Sequence, residues 1–367
     1  MLVEGTGVPV SVYGQKVGGM PPGADGTLPM SGTRGRAGLV RTVSAVRPAR
    51  VPLIGMTAAS LARRPLRSKP IAGKPRAGTM TELSYESTAR ELVTDQGVLR
   101  YHEAGDGPPL LMLHGSGPGV TGWRNYRGNL ATFAKHFRCL VLELPGFGVS
   151  DPLDGHPMVT APATVGRFLD ALDLRRVDVV GNSMGGIVGT QFALRNPDRV
   201  RRLVTIGGIG RNLHSPGPGE GIRLLTEFTD NPTRDGLVRW LRSMVYDPAL
   251  VTDELVEERW QLGTDPQALA NAQSVYGSAA FAARAAAAAK SDEPPYWAML
   301  HKLRAKTLIT WGRDDRVSPV DMSIVPMRTI PDVELHVFPN CGHWVMIERK
   351  SAWESAVLAF LTRKESA

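Results

Sequence analysis

Short apolar runs that stop at glycine or proline recur along this chain, and they constrain the fold more than any other feature. "PLLMLHG" (109–115), "FRCLVLELPG" (137–146), "VDVVGNS" (177–183), "RLVTIGG" (202–208), "KTLITWG" (306–312) and "ELHVFPN" (334–340) all have this form. "GVLRYHEAG" (97–105) instead alternates, like a strand with one wet face. Helical patterns lie between several of the runs, roughly at 123–135, 159–172, 184–196, 321–330 and 352–363. Strands apolar on both faces that alternate with helices predict the α/β class: a mostly parallel sheet flanked by helices.

One interval breaks the rhythm. Residues 209–303 hold no convincing core strand and read as several helices, among them "TDELVEERWQL" and the alanine-rich "FAARAAAAAK". The expectation is a core in two parts, 80–208 and 304–367, with a helical lid inserted between them. In open sheets of this kind ligands bind beyond the carboxyl ends of the strands, so such a lid would cover the site.

The formal charge of +8 suggests nucleic-acid binding until the chain is divided. Residues 1–80 hold 12 Lys/Arg and 2 Asp/Glu, and the remainder holds 31 and 33. The basicity therefore belongs to the N-terminal segment, and a basic groove on the folded part has no compositional support. Residues 1–79 are rich in Gly and Pro and poor in large apolar side chains. They read as a disordered extension, or as the product of a start assigned too early, with Met80 as the true first residue. The two cysteines, Cys139 and Cys341, argue against a disulfide framework and for a reducing, cytoplasmic setting. No apolar run approaches a membrane span, and no metal-ligand cluster or dinucleotide fingerprint is visible, so no cofactor is expected.

The chemistry begins at Gly181-Asn-Ser-Met-Gly185, a match to G-x-S-x-G. Alone the pattern is weak, and its plainer reading is a tightly packed turn. Here it follows the strand "VDVV" and opens a helical pattern, the setting of a nucleophile elbow with Ser183 at its tip. A serine hydroxyl needs a base, and the base needs an orienting acid, in the chain order Ser, acid, His. His343 follows a late strand and is the base candidate. Asp314 and Asp315 both follow "TLIT"; the G-x-x-D-x-x-x-P spacing selects Asp315. "LHGSGPG" (113–119) reads plainly as a flexible turn, and functionally as an oxyanion hole with amides near Ser116 and Gly117 joining that of Met184.

These elements together resemble the α/β-hydrolase superfamily, from about residue 80 to the C-terminus. "HGSGPGVTGWRNY" (114–126), "GNSMGG" (181–186), "DELVEERWQ" (253–261), "WGRDDRVSP" (311–319) and "CGHW" (341–344) further resemble the meta-cleavage product hydrolases, which hydrolyse carbon–carbon bonds in aromatic and steroid catabolism. The resemblance implies a small, carboxylate-bearing 2-hydroxy-6-oxo-2,4-dienoate as substrate, with an acyl-enzyme on Ser183. It implies that Arg259 pairs with the substrate carboxylate and that Asn125, Asn182 and Trp344 line the dienoate pocket. It also suggests a homo-oligomer, while the charge balance and the lack of an apolar span argue against nucleic acid and membrane as partners. Their plainer readings are a solvated helix charge for Arg259, a turn for Asn125, a cap for Asn182 and core packing for Trp344.

Three departures stand out. The usual D-x-P-G reads Glu143-Leu-Pro-Gly146, expected to alter only a supporting contact; Met244 stands where some members carry an aromatic; and the lid stretch 278–297 is long and alanine-rich. The alternative within enzymes is a carboxylesterase or lactonase using the same triad, and outside enzymes a ligand-binding receptor on the same fold.

Overall fold

The apolar runs become strands of a nine-stranded sheet, five of them inner strands and the last, "ELHVFPN", an edge strand. Its strands are β1 (Lys69–Pro70), β2 (Ala89–Thr94), β3 (Gly97–Ala104), β4 (Pro109–Leu113), β5 (Arg138–Leu142), β6 (Val177–Asn182), β7 (Val200–Ile206), β8 (Lys306–Gly312) and β9 (Val333–Phe338). The spatial order is β1-β2-β3-β5-β4-β6-β7-β8-β9. Pairing is antiparallel from β1 to β5 through β2 and β3, and parallel from β5 onward. The structure is a computed structural model and describes residues 69–70, 83–147, 149–153, 155–214 and 218–364, all within one unit that spans 62–367. The expectations for residues 1–79 lie outside the described residues, apart from the backbone pairing of Lys69–Pro70 with β2.

The doubly apolar runs follow from two cores, one on each face. Leu110 and Met112 of β4 point into one core with Val141, Val180 and Leu308. Their neighbours Leu111 and Leu113 point into the other with Leu140, Val179 and Ile309. Alternate residues of β4 thus serve different cores, and this strand has no position left for a polar side chain. Phe133 and Trp353, from the helices Gly122–Phe133 and Lys350–Thr362, fill the first core. Phe168 and Phe192, from Pro157–Ala171 and Met184–Arg195, fill the second.

Between β7 and β8 the chain forms five α-helices: Glu220–Asp230, Arg234–Met244, Asp253–Gly263, Pro266–Tyr276 and Ser278–Ala289. No strand interrupts them among the described residues. Thr233 and Thr252 cap two of these helices through their hydroxyls, and Asp265 caps a third through its carboxylate. The sequence reading overlooked β2, whose "ARELVT" mixes charge with apolar residues. It also gave residues 321–330 as one helix, whereas a 3₁₀ turn (Val320–Ser323) precedes the α-helix Ile324–Thr329.

Candidate active site

Ser183 stands between β6 and the helix Met184–Arg195 with φ 50° and ψ −112°. An L-residue rarely adopts this conformation, and the close packing around it holds it there. A Cβ on Gly181 would lie 2.4 Å from the Gly185 carbonyl oxygen, and one on Gly185 would lie 2.2 Å from that of Leu113. Both glycines of the motif are therefore required by close approach of backbone to backbone. Met184 is the first residue of the helix, so its amide has no intrahelical acceptor and remains available to a developing anion.

The carboxyl ends of β8 and β9 supply two further groups. His343 and Asp315 are both buried, and His343 Nδ1 donates to Asp315 Oδ2 at 2.7 Å. The other carboxylate oxygen accepts the amides of Val317 at 2.8 Å and Ser318 at 2.9 Å. Asp315 is thereby fixed and Nε2 of His343 is left as the acceptor nitrogen. Asp314 instead pairs with Arg313 at 3.2 Å and accepts the Cys341 amide. The loop after β7 lets these groups approach Ser183. Gly208 has φ +78°, and a Cβ there would lie 2.6 Å from Ser183 Cα.

Ser183 and His343 line one small cavity together with Ser116, Asn125, Asn182, Trp240, Met244, Arg259 and Trp344. Its free volume is about 10 Å³, roughly what one water needs. Of the proposed substrate-facing residues, all five reach this cavity. Of the proposed oxyanion loop, Ser116 reaches it, while Gly117 lies under the Trp240 ring and lines a separate surface pocket. The Asn125 and Asn182 amides are partly committed. Asn125 Oδ1 accepts the Gly115 amide at 3.0 Å, its Nδ2 donates to Asn182 Oδ1 at 3.3 Å, and Asn182 Nδ2 donates to the Ile206 carbonyl.

Arg259 lines the same cavity as the elbow serine. It is buried, its Nη1 donates to the Pro118 carbonyl at 3.0 Å, and its guanidinium lies 5.5 Å from the Trp344 ring centroid. Its Nε has no hydrogen-bond partner, and no salt bridge among the described residues reaches it. Burial first, and the neighbouring Arg124 charge second, lower its pKa to about 10, so it remains a cation at neutral pH. Glu258 attracts it from a distance but is itself paired with Arg124, so the buried cation has no acid in contact, which is costly, and an anionic ligand offsets that cost.

Two contributors escaped the sequence reading. Tyr276, from the helix Pro266–Tyr276, hydrogen-bonds its hydroxyl to that of Ser116. Trp240 closes the cavity, and its indole Nε1 is buried without a partner. Glu143, expected at a supporting contact, makes one: its two oxygens accept the Gly122 and Trp123 amides at 2.7 and 3.0 Å, at the start of the helix that carries Asn125. Nearby, His114 accepts the Leu144 amide on Nε2 at 2.9 Å and donates from Nδ1 to its neighbour's carbonyl, which braces the loop containing Ser116.

A parallel sheet with a strained serine at a strand-to-helix turn and a buried acid–histidine pair at later strand ends defines a class, and sequence comparison agrees. Residues 110–354 match the family model described as "Alpha/beta hydrolase family", and the chain belongs to that family. A 2-hydroxy-6-oxo-6-phenylhexa-2,4-dienoate hydrolase from Burkholderia cepacia is 38% identical over 299 residues, 77% of this chain and 99% of that one. A 2-hydroxy-6-oxononadienedioate/2-hydroxy-6-oxononatrienedioate hydrolase from Comamonas testosteroni is 36% identical over 300 residues, again covering 77% and 99%. Among solved structures, a meta-cleavage product hydrolase from Pseudomonas fluorescens IP01 superposes with a TM-score of 0.67 at 28% identity, covering 75% of this chain and 97% of that one. Within the α/β hydrolases, this chain thus belongs with the meta-cleavage product hydrolases.

Proposed function

We propose that the protein hydrolyses a carbon–carbon bond in 2-hydroxy-6-oxohexa-2,4-dienoate-type ring-cleavage products, with Ser183 as nucleophile, His343 as base and Asp315 as its orienting acid. The observation that carries this reading is Arg259, a buried cation lacking a carboxylate partner, across one cavity from Ser183. A plain ester gives such a residue nothing to bind, whereas a dienoate brings a carboxylate.

The substrate first loses its 2-hydroxyl proton and gains one at C5, which creates the keto electron sink. Ser183 Oγ then attacks the C6 carbonyl while its proton passes to His343 Nε2. The Met184 amide and the loop at Ser116 face the oxyanion. The C5–C6 bond breaks with its electron pair leaving on the dienoate side, which takes the proton from His343 Nε2 and so frees that nitrogen again. Water, deprotonated by His343, releases the acid from Ser183. The free volume of about 10 Å³ admits no such substrate, so Trp240, Met244 and Arg259 on the helices of 209–303 must move aside; this segment is read as a lid. The near-neutral balance of the folded part and its two buried free cysteines favour a cytoplasmic enzyme acting on a small molecule rather than on nucleic acid or membrane. A homo-oligomer is the assembly the family resemblance suggests.

The test is turnover of a panel of 2-hydroxy-6-oxo-dienoates beside neutral esters, followed by loss of the coloured dienolate. Wild type should consume dienoates, and Arg259→Ala should lower their kcat/KM by about 100-fold or more while neutral esters lose far less. Ester turnover with no dienoate turnover would assign the chain to carboxylesterases instead.

A further inference from the structure

A second pocket of about 310 Å³ lies directly outside the Ser183 cavity and shares Asn125, Arg259 and Trp344 with it. These three side chains are the partition between the two spaces. The outer pocket adds Arg124, Arg127 and Lys350 to Arg259, against one acidic residue, Glu258. Glu258 pairs with Arg124, yet Arg124 Nη1 stays buried without a partner. Lys350 is held at 2.9 Å by Glu354, which does not line the pocket. Arg127 is exposed, and no salt bridge among the described residues engages it. The lining also has an apolar part, Leu250, Leu255, Met346 and Ile347.

We propose that this pocket is an anion-binding vestibule that takes an organic carboxylate on its way to, or from, Arg259; this rests on the carboxylate reading of the inner site. Arg124 and Arg127 repel Arg259, and Arg124 Nη1 and Arg259 Nε both lack acceptors. A carboxylate bound beside these guanidiniums relieves the repulsion. The apolar wall favours a carboxylate with a hydrocarbon body over an inorganic anion. Cations arranged in a concave surface raise the local concentration of such a ligand and speed its capture.

Titration of the full-length protein by calorimetry with hexanoate, and with hexanamide as its neutral counterpart, tests this without relying on activity. Wild type should bind hexanoate and not hexanamide. Arg127→Glu, an exposed change that leaves the fold intact, should weaken hexanoate by about five-fold or more and flatten its salt dependence. Lys350→Gln should shift it in the same direction by less. Failure of wild type to bind hexanoate, an unchanged Kd in Arg127→Glu, or equal binding of hexanamide would each overturn the vestibule. Hexanoate binding sensitive to Arg127, in a protein that leaves dienoates intact, would keep the vestibule and remove the carbon–carbon reading. Dienoate cleavage beside hexanoate binding that is insensitive to Arg127 would do the reverse.

Discussion

Two adjacent aspartates, 314 and 315, sit at the end of one strand, yet only one is placed to orient a base. Asp315 receives three hydrogen bonds, one of them from His343 at 2.7 Å, while Asp314 is tied to a surface arginine. Asp315→Asn should therefore lower kcat about 10³- to 10⁴-fold, the loss expected when a base is held in the wrong tautomer. Asp314→Asn should change it by about two-fold at most, and steady-state kinetics of the pair settles the order. Gly208 invites a second substitution. Alanine there must take φ +78° and place its methyl against Ser183 Cα, so Gly208→Ala should cost about 2 kcal/mol or more in urea unfolding. Motif and spacing made the Ser183 turn and the Asp315–His343 hydrogen bond legible, because each residue ends or follows an apolar run. Tyr276 was not legible: it meets Ser116 across 160 residues, and no local pattern marks a tyrosine for such a contact.

At the level of elements, the inner strands were legible because both faces are buried, which leaves an unbroken apolar run. β2 was not, because it lies toward the antiparallel edge, where Arg90 and Glu91 are only partly covered. Its presence follows from the hairpin with β3, which pairs Thr94 with Gly97. The five helices after β7 were legible as helices, but their docking was not. One tether is the hydroxyl contact between Tyr276 and Ser116, which joins the helix Pro266–Tyr276 to the loop after β4. Tyr276→Phe removes it without changing shape. The loss of about 1 kcal/mol should raise KM roughly five-fold and leave kcat within about two-fold, as progress curves on the preferred substrate would register.

For the molecule as a whole, three buried groups make stability depend on pH on the acid side. His102 and His114 lie 3.8 and 3.9 Å from the Glu143 carboxylate. Burial lowers both histidines to about 4 and raises Glu143 to about 7. Their unfolded values are 6.5 and 4.5. Between those two pH values unfolding takes up two protons at the histidines and releases one at the glutamate. The histidine contribution is complete above 6.5 and disappears as pH falls toward 4; the opposing glutamate contribution is complete below 4.5 and disappears as pH rises through 7. The net uptake of one proton makes stability fall by about 3 kcal/mol from pH 6.5 to 4.5. Urea midpoints across that window check it, and a flat profile would contradict the burial of these groups.

The long helical excursion leaves the carboxyl end of β7 at Ile206 and returns at Lys306 to start β8, its parallel neighbour. An ordinary crossover between such strands needs about 15 residues, and this one has about 100. Closing the longer loop costs only about 2 kcal/mol more in chain entropy, because the penalty grows with the logarithm of length. The sheet therefore hardly registers how long the excursion is. Its helices can lengthen, shorten or be replaced as a block, so the chamber above Ser183 can be remodelled for new substrates while the strands that aim the serine stay as they are.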